Sequence, residues 1–354
     1  MGRAATEADF LRRALWLAAK GEGHTRPNPP VGAVVVRNGK IVGEGWHKRA
    51  GADHAEVAAI KDARRRLHLS ASRPLQSSTI YVTLEPCSKP GCVGACTDAI
   101  AAAGIARVVY GSVDPNPTNR GRAKRVLAKA GIICERSADC GVRQTCDRLI
   151  APFAKHVTTG LPFVTVKLAM SLDGKICDDY GDARWISSAA SRKVTGGLRE
   201  RVDAIMVGAE TVRQDNPSLL SHGKRNDDLM RVVVTKSGKL PKNAQLFTDG
   251  APNVTRIFRV GKDAKDLVDV LRQLGKAGVL HVLCEGGLQL ARSLAEAELV
   301  DEWITVLAPK VIGSRRIGTS VSIPRAFVLP DHGVALGPTH QNENSAADAA
   351  SSSF

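Results

Sequence analysis

The chain has 354 residues, which at roughly 150 residues per domain predicts two domains. It is 43% hydrophobic and 24% charged, enough apolar residue to bury an ordinary core, and no stretch approaches the about 18 uncharged apolar residues of a membrane span. Fifty Lys and Arg against 35 Asp and Glu give a net charge of +15, which points to an anionic partner, nucleic acid or phosphorylated small molecule.

The opening MGRAATEADFLRRALWLAAKG carries Glu7 and Asp9 and reads as an amphipathic helix over 6–20, with Phe10, Ala14, Leu17 and Ala18 on one face, not as a signal peptide. A cytoplasmic location is therefore expected. A strand follows over 31–36, an Asn38-Gly39 turn, and a returning strand at 41–43. A helix is predicted over 54–66 and a nearly continuous apolar strand over 79–84, the pattern of a sheet covered on both faces. Next come a helix at 96–103, a strand at 107–110, a helix at 120–130 and a strand at 132–134. Residues 136–160 lack clear periodicity, so a domain boundary is placed near 150. The second half predicts strands at 163–168, 203–208, 231–235, 280–284 and 303–307, with helices near 188–200 and 263–275 and another starting near Leu288. Strands separated by helices argue for an α/β fold in both halves. The Ser/Ala/Asn-rich tail, from Gly337 to Phe354, is expected to be disordered.

The strongest chemical signal is His54-Ala55-Glu56, followed by Glu85-Pro86-Cys87 and then Cys96. One imidazole and two thiolates give zinc three protein ligands and leave a fourth position for water. Zinc lowers the pKa of that water and so supplies hydroxide. Glu56, two residues past the histidine, can move a proton from the water to a departing amine without ligating the metal. Zinc deaminases carry this same His-x-Glu and Pro-Cys signature. Cys96 opens a predicted helix, whose positive dipole end favours thiolate. Two alternatives stand beside this reading: a purely structural zinc, and Cys92 as a ligand where a bystander is expected.

Four runs resemble the bifunctional riboflavin-biosynthesis deaminase/reductase family: Pro27-Asn28-Pro29-Pro30-Val31-Gly32, His54-Ala55-Glu56-Val57, Thr83-Leu84-Glu85-Pro86-Cys87-Ser88 and Asp114-Pro115-Asn116-Pro117. Cys96 stands at that family's spacing from Cys87, and the resemblance covers about residues 9 to 313. It implies a cytidine-deaminase-like α/β/α domain over 1–150, a dihydrofolate-reductase-like α/β domain over 151–337, and a tail over 338–354. By that likeness zinc sits on His54, Cys87 and Cys96, with Glu56 as proton donor and Asn28 against the pyrimidine. The substrate implied is a diaminopyrimidinone carrying a ribosylamino 5′-phosphate, deaminated at its 2-amino group.

In the second half the resemblance rests on Lys167, Ser171-Leu172-Asp173-Gly174-Lys175, Trp185-Ile186-Ser187-Ser188, Leu198-Arg199, Thr211, Asp215-Asn216-Pro217, Glu285-Gly286-Gly287, Val300-Asp301-Glu302 and Pro309-Lys310. It implies NADPH-dependent reduction of the opened ribose to a ribityl group. NADPH contacts fall on Met170, Trp185, Thr211, Asp215, Gly286 and Gly287. Substrate contacts fall on Lys167, Arg199, Leu219 and Glu285, with Arg199 as a phosphate clamp. The Gly286-Gly287 pair lies between a strand and a helix, where backbone N–H groups can take a cofactor phosphate.

The chain departs from the family pattern at Lys89 and Pro90 in the first half and at Ala183, Gly196, His222 and Thr235 in the second, and the latter four keep open a deaminase whose second domain only scaffolds. More distant rivals are a nucleic-acid deaminase and a zinc-stabilised RNA-binding protein, both disfavoured by 4% aromatic residues. The expected partner is a phosphorylated pyrimidine, with no membrane, and the enzyme is expected to be a homo-oligomer.

Overall fold

The computed structural model describes residues 5–70, 72–89, 94–177, 186–220, 229–249, 254–261, 263–309 and 335–338. Its first sheet contains β1 (Gly32–Arg37), β2 (Lys40–Trp46), β3 (Ser78–Leu84), β4 (Arg107–Ser112) and β5 (Ile133–Arg136), in the order β2-β1-β3-β4-β5. β1 pairs antiparallel with both β2 and β3, while β3–β4 and β4–β5 are parallel. Successive side chains of a strand point to opposite faces, and both faces here are apolar. Val34, Val36, Tyr81 and Val109 pack against α1 (Glu7–Ala18) and α5 (Cys140–Leu149). Ala33, Val35, Ile80, Val82 and Val108 pack against α2 (Ala55–Arg66), α3 (Cys96–Ala102) and α4 (Arg122–Lys129). The result is a three-layer α/β/α sandwich.

Two glycines bring α2 close to the sheet. A Cβ on Gly43 or Gly45 of β2 would lie 2.4 Å from the Ala59 carbonyl oxygen or 2.3 Å from its nitrogen. Only hydrogen at these positions lets the helix lie directly on the strand. That contact fixes where the helix N-terminus, and with it His54, comes to rest.

The second sheet contains β6 (Phe163–Ser171), β7 (Ala204–Gly208), β8 (Met230–Thr235), β9 (Thr255–Arg259), β10 (His281–Cys284), β11 (Glu302–Ala308) and β12 (Ala335–Pro338). Their order is β12-β11-β6-β10-β7-β8-β9, parallel throughout except for the β11–β12 pair. Val164, Val166, Met206, Val232 and Val282 face Leu267, Leu271 and Leu274 of α10 (Ala264–Lys276) and Leu294 of α11 (Leu288–Glu296). The opposite face buries Ile205, Val207, Val233 and Leu283 with Val212 of α8 (Ala209–Asp215) and Leu246 of α9 (Gln245–Thr248).

Residues 136–160, which carry no apolar period, contain two helices, α5 and α6 (Ala151–Thr159). Each covers the sheet so thinly that no stripe forms: α5 buries only Val142 and Cys146, and α6 buries none of its residues. Their ends were readable instead: Asp139 caps α5 through the Val142 N–H, Pro152 lies in the first turn of α6, and Gly160 closes it at φ 73°. The helix expected over 188–200 is α7 (Ala189–Gly196) followed by one 3-10 turn at Gly197–Glu200. β9 went unforeseen because an edge strand with mostly exposed side chains shows no apolar run. β12 claims Gly337 and Pro338, two residues assigned to the tail, and residues 339–354 lie outside the described residues. Among the described residues no helix is long and apolar enough to cross a membrane.

Candidate active sites

His54 is the N-cap of α2, Glu56 lies in that helix's first turn, and Cys96 is the first residue of α3. Two helix N-termini therefore converge on the loop that follows β3 and carries Cys87. The His54 Nδ1 atom lies 3.1 Å from Cys96 Sγ and 3.6 Å from Cys87 Sγ, and the Cys96 N–H donates to Cys87 Sγ at 3.3 Å. All three donor atoms fall within 4.8 Å of one another. Zinc bonds of about 2.3 Å to sulfur and about 2.0 Å to nitrogen place tetrahedral ligands roughly 3.5 Å apart, so this donor set fits zinc. Among the described residues it is the one such group; Cys92 lies outside them.

The electrostatics follow from burial and shared protons. The Cys96 side chain and His54 hydrogen-bond to Cys87 and hold its thiol well below the usual range, which favours its thiolate form. Its bond to Cys87, together with burial, raises Cys96, while the Cys87 partner raises His54. Glu56 is 3% exposed, and burial with the nearby Cys87 charge pushes its carboxyl up to about 7. A carboxyl poised there can both take and return a proton near neutrality.

Asn28 reaches this site through a residue that sequence reasoning missed. Its Nδ2 lies 3.1 Å from His47 Nε2, while His47 Nδ1 sits 3.0 Å from the Asp53 carbonyl. A carbonyl only accepts, so Nδ1 carries the proton and Nε2 accepts from Asn28. Burial lowers the His47 pKa, which favours this neutral form. The His47 ring also meets His54 edge-on at 5.3 Å. Its one sequence signal was a histidine at the end of β2, seven residues before His54.

In the second sheet, Lys167, midway along β6, lies level with Glu285, which follows the C-terminal end of the adjacent parallel strand β10, where open α/β sheets bind ligands. Arg199 ties Glu285 to the segment at Leu220. Its Nε and Nη2 donate to the two Glu285 oxygens at 2.9 and 2.7 Å, and its Nη1 donates to the Leu220 carbonyl at 3.2 Å. Burial lowers the Lys167 pKa, opposed by the Glu285 charge. Leu219 is buried beside them at φ 57°. Gly287 caps α11, and a Cβ on it would lie 3.9 Å from the Thr211 hydroxyl; one on Gly286 would lie 3.4 Å from the Gly208 nitrogen. The N-terminal ends of α8 and α11 thus stand side by side. Met170 is half-buried on β6, and Asp215 is exposed at the end of α8. Trp185, with Ala183 and His222, lies outside the described residues.

Comparison with known proteins places both sites in one family. The cytidine and deoxycytidylate deaminase zinc-binding region matches residues 5–112, and the RibD C-terminal domain matches residues 162–327. The chain is 34% identical to the riboflavin biosynthesis protein RibD of Actinobacillus pleuropneumoniae, covering 89% of this chain and 87% of that protein. It is 35% identical to RibD of Escherichia coli, with 86% and 88% covered. The chain belongs to the RibD family. Its fold is similar to that of the Acinetobacter baumannii RibD structure, at a TM-score of 0.78 and 28% identity over 94% of this chain and 99% of that one. It is also similar to the Thermotoga maritima deaminase/reductase, at 0.79 and 30% over 94% and 98%. A RibD protein is a bifunctional enzyme of riboflavin biosynthesis, a zinc-dependent deaminase joined to an NADPH-dependent reductase. The purely RNA-binding reading is thereby set aside, and the deaminase-like and reductase-like α/β folds are those expected.

Proposed function

We propose that residues 1–150 deaminate a diaminopyrimidinone bearing a ribosylamino 5′-phosphate and that residues 151–337 reduce the product's ribosyl group to ribityl. The observation that carries the first half is a buried carboxyl, Glu56, beside three convergent zinc donors, His54, Cys87 and Cys96. Zinc, when bound there, supplies the Lewis acidity that brings a water's pKa towards neutrality. Glu56 takes the proton from the attacking water and delivers it to the departing amine. Asn28, its amide turned by His47, presents Oδ1 to pyrimidine N–H groups.

In the reductase, NADPH supplies the hydride. Gly286 and Gly287, beside Thr211, would hold its phosphates at the start of α11, and Met170 and Asp215, with Trp185 by the family resemblance, would supply its other contacts. Lys167, Glu285 and Leu219 hold the substrate. Because the Arg199 fork is taken up by Glu285, its first task becomes to fix Glu285 beside Lys167, with the phosphate close by. The same reading makes the enzyme a cytoplasmic homo-oligomer, to be measured by light scattering and cell fractionation.

A coupled assay with purified protein, zinc and NADPH tests both halves. Ammonia release followed by NADPH oxidation is expected. Ammonia release alone would select a deaminase with a scaffolding second domain.

A further inference from the structure

The segment carrying Cys87 has no regular secondary structure, yet hydrogen bonds hold the peptide groups before, at and after this residue. The Cys87 carbonyl accepts the Thr97 N–H at 3.2 Å, which ties it to the first turn of α3. On either side of Cys87 the partner is a single side chain, Asn119, from the loop before α4. Its Oδ1 accepts both the Ser88 N–H at 2.7 Å and the Ser88 hydroxyl at 2.8 Å. Its Nδ2 donates to the Pro86 carbonyl at 3.4 Å and to the Asp114 carboxylate at 2.8 Å. All four hydrogen-bonding positions of one amide are used, at a residue that is 6% exposed. Asp114 is itself held by the Asn116 N–H at 2.8 Å.

We propose that Asn119 is a positioning residue of the deaminase, an amide clip that grips the chain immediately before and after Cys87 and so sets the direction of its thiolate. A ligand on an irregular loop otherwise owes its orientation to backbone torsions that nothing fixes. Freezing them before the metal arrives removes an entropy cost from binding, and groups that orient ligands in this way typically contribute about 10–100-fold in metal affinity. Ser88 contributes through its backbone as well as its hydroxyl, so Ser88→Ala removes one of the four bonds while Asn119→Ala removes all of them.

This inference rests on Cys87 being a zinc ligand, so Cys87→Ser is the control for that assignment. The measurement is zinc affinity of the full-length protein, by competition with a chromophoric chelator, together with the absorption spectrum of the cobalt-substituted form. Asn119→Ala is expected to weaken zinc about 10–100-fold and to alter the cobalt–thiolate bands at saturating metal, with Ser88→Ala changing affinity only a few-fold. Asn119→Asp, which keeps the shape but loses both donors and sets a carboxylate against Asp114, serves if the alanine variant fails to fold, and is expected to show the same loss. Wild-type affinity and an unchanged cobalt spectrum in a folded Asn119 variant overturn the clip, provided Cys87→Ser has lost zinc. Retention of zinc by Cys87→Ser overturns the ligand assignment instead.

Discussion

At the scale of single residues, the deaminase site depends on one carboxyl kept out of water. Glu56 is buried against Cys87 and His54, and its ordinary acidity is suppressed enough for it to carry a proton in both directions. Glu56→Gln keeps the shape of the site and removes the titrating group. It is expected to retain zinc by metal analysis while ammonia release falls about 10²–10⁴-fold. Removing the metal from the native enzyme with a chelator should abolish ammonia release yet leave NADPH oxidation with pre-deaminated substrate unchanged. The reason is spatial: all three donors belong to elements packed on the first sheet, none to the second.

At the scale of elements, buried polar side chains join pieces that backbone pairing leaves apart. Glu85, 2% exposed, accepts the N–H groups of Asp114, Gly121 and Ala123, and so caps α4 from the loop that follows β3. Glu85→Ala strands those donors, and a loss of about 2–4 kcal/mol is expected in urea denaturation. On β10, His281 packs edge-on against Phe163 at 5.4 Å, 2.8 Å from the Thr165 hydroxyl, which donates to Glu302. Burial pulls its pKa from 6.5 down to about 4. The native imidazole therefore stays neutral while the unfolded one takes up a proton, so its contribution is complete above about pH 6.5 and is lost as pH falls towards 4. Burial raises the Glu302 pKa, so this neighbour titrates in the opposite sense. The effect is read as a difference: between pH 7 and pH 4.5 the wild type should lose more stability than His281→Gln, in matched denaturation curves.

At the scale of the whole molecule, the two sheets meet through the loop after α1. Glu22 lies 3.9 Å from Arg201, and a Cβ on Gly23 would fall 2.3 Å from the Glu200 carbonyl oxygen. Gly23 also sits at φ 73°, a backbone conformation that costs an L side chain about 1 kcal/mol or more. Gly23→Ala must therefore push the halves apart, and calorimetry should show a lowered melting temperature, with the single transition broadened or split. The basic cluster Arg122, Lys124, Arg125 and Lys129 is exposed on α4, while Ala123 and Leu127 point into the core. Much of that part of the +15 charge is therefore a solvated helix face.

The sequence alone determined the α/β alternation and named His54, Cys87 and Cys96 as candidate zinc donors, because strand runs, glycine stops and the His-x-Glu and Pro-Cys spacings are local signals. It left α5 and α6 unread because elements that bury two residues or none leave no stripe, whatever their caps say. His47 and Asn119 were invisible for a different reason. Each acts by meeting a partner 19 to 33 residues away across a loop, and only the packed chain decides which amide faces which ring or carbonyl. Arg199 shows the same limit from the other side: the family resemblance at Leu198-Arg199 names the residue, but its pairing with Glu285, 86 positions on, sets what its guanidinium holds. Local pattern fixes which groups a site can use. Tertiary structure decides which of them are oriented, and oriented groups are what a metal or a substrate can bind without further cost in entropy.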